Sequence, residues 1–146
     1  TDDLCINGEG AGVMKQMVDL YNKHQCSIVA IEEVPFDQIH NYGVIAGDEI
    51  EEGIFQVSTM VEKPSREGAP TNLAIIGRYV LTPDIFEILR DTKPGANGEI
   101  QITDAINQQA KADRVIGYKF KGRRFDCGSI KGFVDATNYV YERMNA

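Results

Sequence analysis

Hydrophobic positions along the chain fall into two periods, and segments of the two kinds alternate. Val13, Met14, Met17, Val18 and Tyr21 recur at helical spacing and predict an amphipathic helix over residues 13–24, behind a glycine-rich lead-in. Ile28, Val29, Ala30 and Ile31 are continuously apolar, as in a strand covered on both faces, and place a strand over 27–33 that Pro35 ends. Asn41-Tyr42-Gly43 reads as a turn into a short strand, 44–46. A second turn over 48–53 precedes a partly alternating strand, 54–62, marked by Phe55, Val57 and Val61. After a polar loop, 64–70, the apolar and β-branched run 73–81 reads as a buried strand. Thr82-Pro83 sets a cap residue before proline at a first helical position, which predicts a short helix over 83–90. Residues 93–98 are loop by their proline, glycine and asparagine, and 104–111 reads as a helix capped by Thr103. A strand over 115–120 follows. The last helix is capped by Ser129 and carries Ile130, Phe133, Val134, Thr137 and Tyr141 on one face. Strands alternating with helices imply an α/β layered fold.

Such a fold normally opens with a strand and a glycine-rich turn that binds phosphate at a helix N-terminus. This chain opens with Thr1-Asp2-Asp3-Leu4, which reads as the end of a strand. The expectation is therefore the later portion of a larger α/β protein, folded as a single truncated domain over residues 1–146.

Composition narrows the class. With 146 residues, 42% hydrophobic and 25% charged, the chain has enough core for one globular domain, and wholesale disorder is excluded. Apolar runs stop after about four residues, far short of a membrane span, so no membrane partner is expected. The lack of a charged-then-apolar leader and of any Asn-x-Ser/Thr site points to the cytoplasm. Fifteen basic against 22 acidic residues give a net charge of −7, which argues against nucleic acid as a partner. An anionic substrate would have to be met by a few placed cations or by a metal. Cys5, Cys26 and Cys127 are odd in number and far apart, a pattern of reduced thiols and not of a disulfide framework or zinc site. His24 and His40 sit in polar settings that do not suggest a metal site.

Several residues are candidates for chemistry. Gly8-x-Gly10-x-Gly12 precedes a helix but lacks the glycine spacing and preceding strand of a dinucleotide-binding turn, and Glu9 would repel an anion. It reads as a flexible lead-in. Asp2-Asp3 stands at a strand end, where open α/β sheets bind ligands, although alternation lets only one of the two face a site. The alternative is a solvated or capping acidic turn. Asp126 stands between a strand and a helix, either as a ligand or as a charge favouring the helix N-terminus. If Asp2 and Asp126 converge, they could hold a Mg²⁺ that also binds substrate phosphates. Glu62 suits bidentate acceptance from neighbouring sugar hydroxyls and Lys63 suits a phosphate, unless the two are simply an exposed surface pair. Gly43 either lets a backbone N–H approach a ligand or serves its turn. Glu99 and Asp104 fit the start of their helix, and no Ser/His/Asp or Cys/His arrangement stands out.

Taken in order, these motifs are more specific than any one of them. Asp2-Asp3-Leu4, Asn41-Tyr42-Gly43-Val44, Val61-Glu62-Lys63-Pro64 and the run from Asn72 to Leu81 form a series. It continues with Gly98-Glu99-Ile100-Gln101-Ile102-Thr103-Asp104-Ala105-Ile106 and ends at Asp126-Cys127-Gly128-Ser129-Ile130-Lys131-Gly132-Phe133. The series resembles the bacterial UTP–glucose-1-phosphate uridylyltransferases of the sugar nucleotidyltransferase superfamily, through essentially the whole chain. The resemblance implies a Rossmann-like mixed sheet flanked by helices. It also implies a Mg²⁺-dependent reaction of UTP with glucose 1-phosphate that yields UDP-glucose and pyrophosphate, in a homodimer or tetramer.

Carried over by position, Asp2 and Asp126 match the family's two Mg²⁺ aspartates. Glu62 matches its sugar-hydroxyl acceptor, Lys63 its sugar-phosphate contact and Gly43 its backbone donor to the sugar. Ile75 and Tyr79 align with sugar-pocket positions, and Asn72 belongs to the start of the same strand. The family's Gly-x-Gly-Thr-Arg loop and its following lysine, which hold the nucleotide, have no counterpart in this sequence. The chain is therefore expected to carry the sugar-phosphate and metal half of a site and to be inactive alone. A thymidylyl- or cytidylyltransferase is the nearest alternative, although Asp126-Cys127-Gly128 resembles the uridylyl branch more than the Asp-Thr-Gly of the thymidylyl branch. A non-catalytic sugar-phosphate-binding or oligomerisation module is the alternative from another class.

Overall fold

The computed structural model describes residues 3–95 and 98–145. Their order is β1 (Asp3–Ile6), α1 (Val13–His24), β2 (Ser27–Glu33), a 3-10 turn (Ile39–Asn41), β3 (Gly43–Glu51), β4 (Ile54–Glu62), β5 (Leu73–Val80), α2 (Ile85–Asp91), α3 (Ile102–Ala110), β6 (Val115–Lys119), β7 (Arg123–Asp126) and α4 (Ile130–Met144). They form two units, one from Met17 to Phe120 and one from the flanking segments up to Gln16 and beyond Lys121.

In the larger unit, Ile28, Val29, Ala30 and Ile31 are fully buried because β2 has a neighbour on each side. It pairs antiparallel with β5 (Ile28↔Val80) and parallel with β6 (Ile28↔Ile116). Strand order runs β2-β5-β3-β4-β6, and β6 returns to pair with both β4 and β2, so the mixed sheet closes on itself. Val29, Ile31, Ile45, Val57, Ile75 and Val115 meet Ala105, Ile106 and Ala110 of α3 in one core. Each large aliphatic side chain buried there contributes roughly 1.5–3 kcal/mol of transfer free energy. Beneath α3, the Ser27 Oγ donates to Gln109 Oε1 at 2.7 Å and Gln109 Nε2 donates to Thr82 Oγ1 at 2.9 Å, which satisfies three buried polar groups at once.

Three elements of this unit differ from the sequence reading, and in the other unit β1 begins at Asp3, where the reading has a strand end. The expected strand 44–46 extends over Gly43–Glu51, and the turn shrinks to Glu52-Gly53. Residues 48–51 are exposed and the β3–β4 register shifts twice, so no apolar alternation marks them. Helix α2 starts at Ile85, and Thr82 is spent on the buried Ser27–Gln109 network and does not cap a helix begun at Pro83. Helix α3 starts earlier than expected, at Ile102, with Gln101 before it; Thr103 lies inside the helix.

In the smaller unit, β1 and β7 form a two-stranded antiparallel ladder with Asp3↔Asp126 and Leu4↔Phe125 in register. Strand β7 has no counterpart in the sequence reading, since Arg123, Arg124 and Asp126 leave Phe125 as its one apolar residue. Ser129 caps α4 as expected, its Oγ accepting from Gly132 N at 3.0 Å. Gly132 has no room for a side chain: a Cβ there would run into the Asp126 carbonyl oxygen. On the far side, the apolar face of α4 is open, with Ile130 88% and Phe133 61% exposed. Leu4, Cys127, Ala136 and Val140 line a groove of about 380 Å³ along it.

Candidate functional site

The larger unit gathers four of the sequence candidates. Gly43, first residue of β3, stands directly opposite Glu62, last residue of β4. Because position 43 has no side chain, the Glu62 carboxylate lies over it: a Cβ there would fall 2.9 Å from Glu62 Oε2 and 3.3 Å from Ile75 Cδ1. Ile75 and Tyr79 come from β5, which reaches this place because β3 pairs with it at Val44↔Ala74. Tyr79 is close enough to sense the same carboxylate: burial chiefly, and then the Glu62 charge, push its phenol above the ordinary 10.0.

Thr103 is a member of this cluster that the sequence reading missed. Its hydroxyl donates to Glu62 Oε2 at 2.6 Å, a short charge-assisted bond that takes the place of the helix cap expected of it. One turn on, Asn107 Oδ1 accepts from Met60 N at 2.9 Å and from Thr59 Oγ1 at 3.3 Å. Residues four apart share a helix face, so α3 meets β4 through Thr103 and Asn107 together. Two polar residues four apart in α3 were the available signal.

Lys63 follows Glu62 in a left-handed conformation, φ 44°, with its N–H donating to Tyr42 O at 3.0 Å. A lysine there costs about 1 kcal/mol over a right-handed conformation, the kind of strain that functional positions retain. Lys63 is exposed, and among the described residues its ammonium makes no ion pair. Asn72 is engaged elsewhere, its amide donating to Val34 O at 3.1 Å and tying the start of β5 to the end of β2.

The smaller unit holds the carboxylates. Asp3 Oδ1 accepts from Arg124 Nε at 2.7 Å, and both side chains are largely buried. Asp126, opposite Asp3 in the ladder, keeps 46% of its side chain exposed, with Gly128 N donating to Oδ1 at 3.1 Å. Asp2 lies outside the described residues. Mg²⁺ takes hard oxygen donors and is commonly bound by only one or two protein carboxylates, with waters and substrate phosphates completing its shell. Asp126, half-exposed and with a long 3.9 Å contact from Oδ2 to Arg124 Nη2, fits that requirement; Asp3, largely buried and held at 2.7 Å by the same guanidinium, does not. Among the described residues no group of three His, Cys, Asp or Glu side chains is placed to hold a metal, and no helix is long and apolar enough to cross a membrane. The glycine-rich lead-in is internally tied: Asn7 Nδ2 donates to Ala11 O at 2.8 Å, and Arg143 donates to Gly8 O at 3.0 Å.

Residues 2–143 match the nucleotidyl transferase family, and the chain belongs to it. It is 62% identical over 143 residues to the UTP–glucose-1-phosphate uridylyltransferase of Pseudomonas aeruginosa, an alignment covering 98% of this chain and 51% of that protein. With the enzyme of the same name from Streptococcus pneumoniae it shares 50% identity over 136 residues, covering 91% of this chain and 46% of that one. The crystal structure of a UDP-glucose pyrophosphorylase complexed with UDP-glucose superposes with a TM-score of 0.92 at 59% identity, over 97% of this chain and 54% of that one. The chain thus spans about half the length of the relatives it matches.

Proposed function

We propose that the chain carries the sugar-phosphate and metal-binding residues of a uridylyltransferase that makes UDP-glucose and pyrophosphate from UTP and glucose 1-phosphate. The observation that carries the reading is the Glu62 carboxylate lying over side-chain-free Gly43, with Ile75 beside it and Lys63 next in the chain. The relatives of the same name support it.

Both reactants are anions, so the barrier is largely repulsion and misalignment, and positioning with charge neutralisation is the catalysis required. Glu62 accepts hydrogen bonds from two neighbouring hydroxyls of the glucose ring. The Gly43 backbone closes on the ring where a side chain would block it, and Ile75 and Tyr79 supply the walls. Lys63 holds the sugar phosphate, whose oxygen is already ionised and needs no general base to attack the α-phosphorus of UTP. Asp126, with Asp2, would hold Mg²⁺, which when bound neutralises phosphate charge. Asn72 ties the start of β5 to the end of β2 through its amide. The proposal extends to a cytoplasmic enzyme, in keeping with the free thiols of Cys5, Cys26 and Cys127, and to a homodimer or tetramer, as in the family the sequence resembles.

Calorimetric titration with glucose 1-phosphate in the presence of Mg²⁺ tests the reading. Saturable binding is expected, weakened at least about tenfold in Lys63→Ala and in Glu62→Gln, since each removes a charged hydrogen-bonding partner. No binding by the unaltered protein, or equal binding by both variants, would overturn it.

A further inference from the structure

We propose that Thr103 is the positioning residue that sets the orientation of the Glu62 carboxylate, and that sugar selectivity depends on its hydroxyl. The inference rests on the sugar-phosphate reading above and names a residue for it.

A glutamate at the end of a strand has three side-chain torsions, and a carboxylate that must accept from two hydroxyls at once cannot be left to rotate. Three observations fix it here. The Thr103 Oγ1 donates to Oε2 at 2.6 Å, and Thr103 is itself only 5% exposed. A hydroxyl on a buried β-branched residue within a helix has few orientations available. The same oxygen lies close over Gly43, since a Cβ at position 43 would fall 2.9 Å from Oε2 and 3.5 Å from Thr103 Oγ1. Helix α3 in turn is indexed to β4 by Asn107, whose Oδ1 accepts from Met60 N at 2.9 Å, two residues before Glu62. The hydroxyl therefore meets Oε2 at a fixed height along the strand and takes up one of its lone pairs. That leaves Oε1 and the remaining lone pair of Oε2 as the acceptors for a ligand, in one plane. Hydrogen-bonded sites reject analogues whose hydroxyls are misplaced only if the acceptor cannot follow them. Holding the acceptor still is thus a selectivity device.

The test is steady-state kinetics in the full-length protein, with glucose 1-phosphate and UTP varied separately, and with the 2- and 4-epimers of glucose 1-phosphate as alternative substrates. Thr103→Val keeps the shape and removes the donor; Thr103→Ser keeps the donor. In Thr103→Val the KM for glucose 1-phosphate is expected to rise about tenfold, the size of effect that losing a hydrogen bond to a charged group produces. The preference over the epimers falls by a similar factor, the KM for UTP is unchanged, and Thr103→Ser restores both values. Asn107→Ala, which loosens α3 from β4 but keeps the Thr103 hydroxyl, lowers the melting temperature and lowers the epimer preference by less than Thr103→Val does. Unchanged epimer preference in Thr103→Val overturns the proposal, as does an equal rise in both KM values. A loss of epimer preference in Asn107→Ala as large as that in Thr103→Val overturns it too, because helix docking would then be the cause. Should Thr103→Val not fold, Thr103→Ser decides: a selectivity below that of the unaltered protein overturns the proposal, and equal selectivity supports it. If the unaltered protein uses no hexose 1-phosphate, the functional reading itself has failed and the proposal goes with it. Glucose 1-phosphate turnover lost in Glu62→Gln but unaffected in Thr103→Val would remove Thr103 alone.

Discussion

Burial and the Glu62 carboxylate act in the same direction on Tyr79, both favouring the protonated phenol. The unfolded chain ionises that phenol first, so the fold loses stability as pH rises above about 10. Replacing Glu62 by glutamine removes the charge and leaves the burial, and the Tyr79 phenol is expected to fall part of the way back. Following the Tyr79 ring by NMR through an alkaline titration checks this, and an unmoved midpoint would mean that the carboxylate does not face the ring. At this scale the sequence names residues and not their grouping. Glu62, Gly43 and the pair Ile75 and Tyr79 are identified in three separate motifs, and folding brings them together. Thr103 was not, because a threonine at a helix start reads as a cap, and nothing local announces that a carboxylate 41 residues away will take its hydroxyl. Asn72 shares a motif with Ile75 and Tyr79, and the fold gives it a structural bond as well, its amide donating to Val34 O at 3.1 Å.

Elements with strong periodicity came out where the pattern put them. Helix α1 spans Val13–His24, β2 spans Ser27–Glu33 and β4 spans Ile54–Glu62, as read from apolar spacing. The far half of β3 and all of β7 escaped, since a strand that is short or solvent-facing carries no apolar alternation and is defined by its partner's backbone. Helix α4 illustrates how closely an element can depend on one missing side chain. Its first turn packs against the Asp126 carbonyl through Gly132, and a methyl group there has no space. Gly132→Ala is expected to displace the start of α4 and cost about 1–3 kcal/mol, the range for overpacking a tight contact. A denaturant midpoint equal to that of the unaltered protein would show that the helix does not approach so near. The apolar side chains that the pattern puts on one face of α4 are open, with Phe133 61% exposed.

For the molecule as a whole, the residues assigned to sugar and phosphate lie in the unit from Met17 to Phe120, and Asp126 lies in the other. Neither the sequence nor either unit contains the Gly-x-Gly-Thr-Arg loop, and the relatives are about twice as long. The chain by itself is therefore expected to bind glucose 1-phosphate and to release no pyrophosphate from UTP. A coupled assay for pyrophosphate measures this, and sustained release above a Lys63→Ala control would show that the nucleotide is held without that loop. On the proposed reading, Lys63 and a divalent cation carry the attraction for phosphate, because a net charge of −7 gives no general field toward it. Local rules were enough for the helices, the buried strands, the layered class and the chemical types of the site residues, since hydrophobic period, caps and charge act over a few positions. Strand partners, the closure of β6 onto β2 and β4, the pairing of Asp3 with Asp126 and the bond from Thr103 to Glu62 required the folded chain. These are contacts between residues tens of positions apart, and a chain's local pattern does not encode which distant backbone will satisfy it.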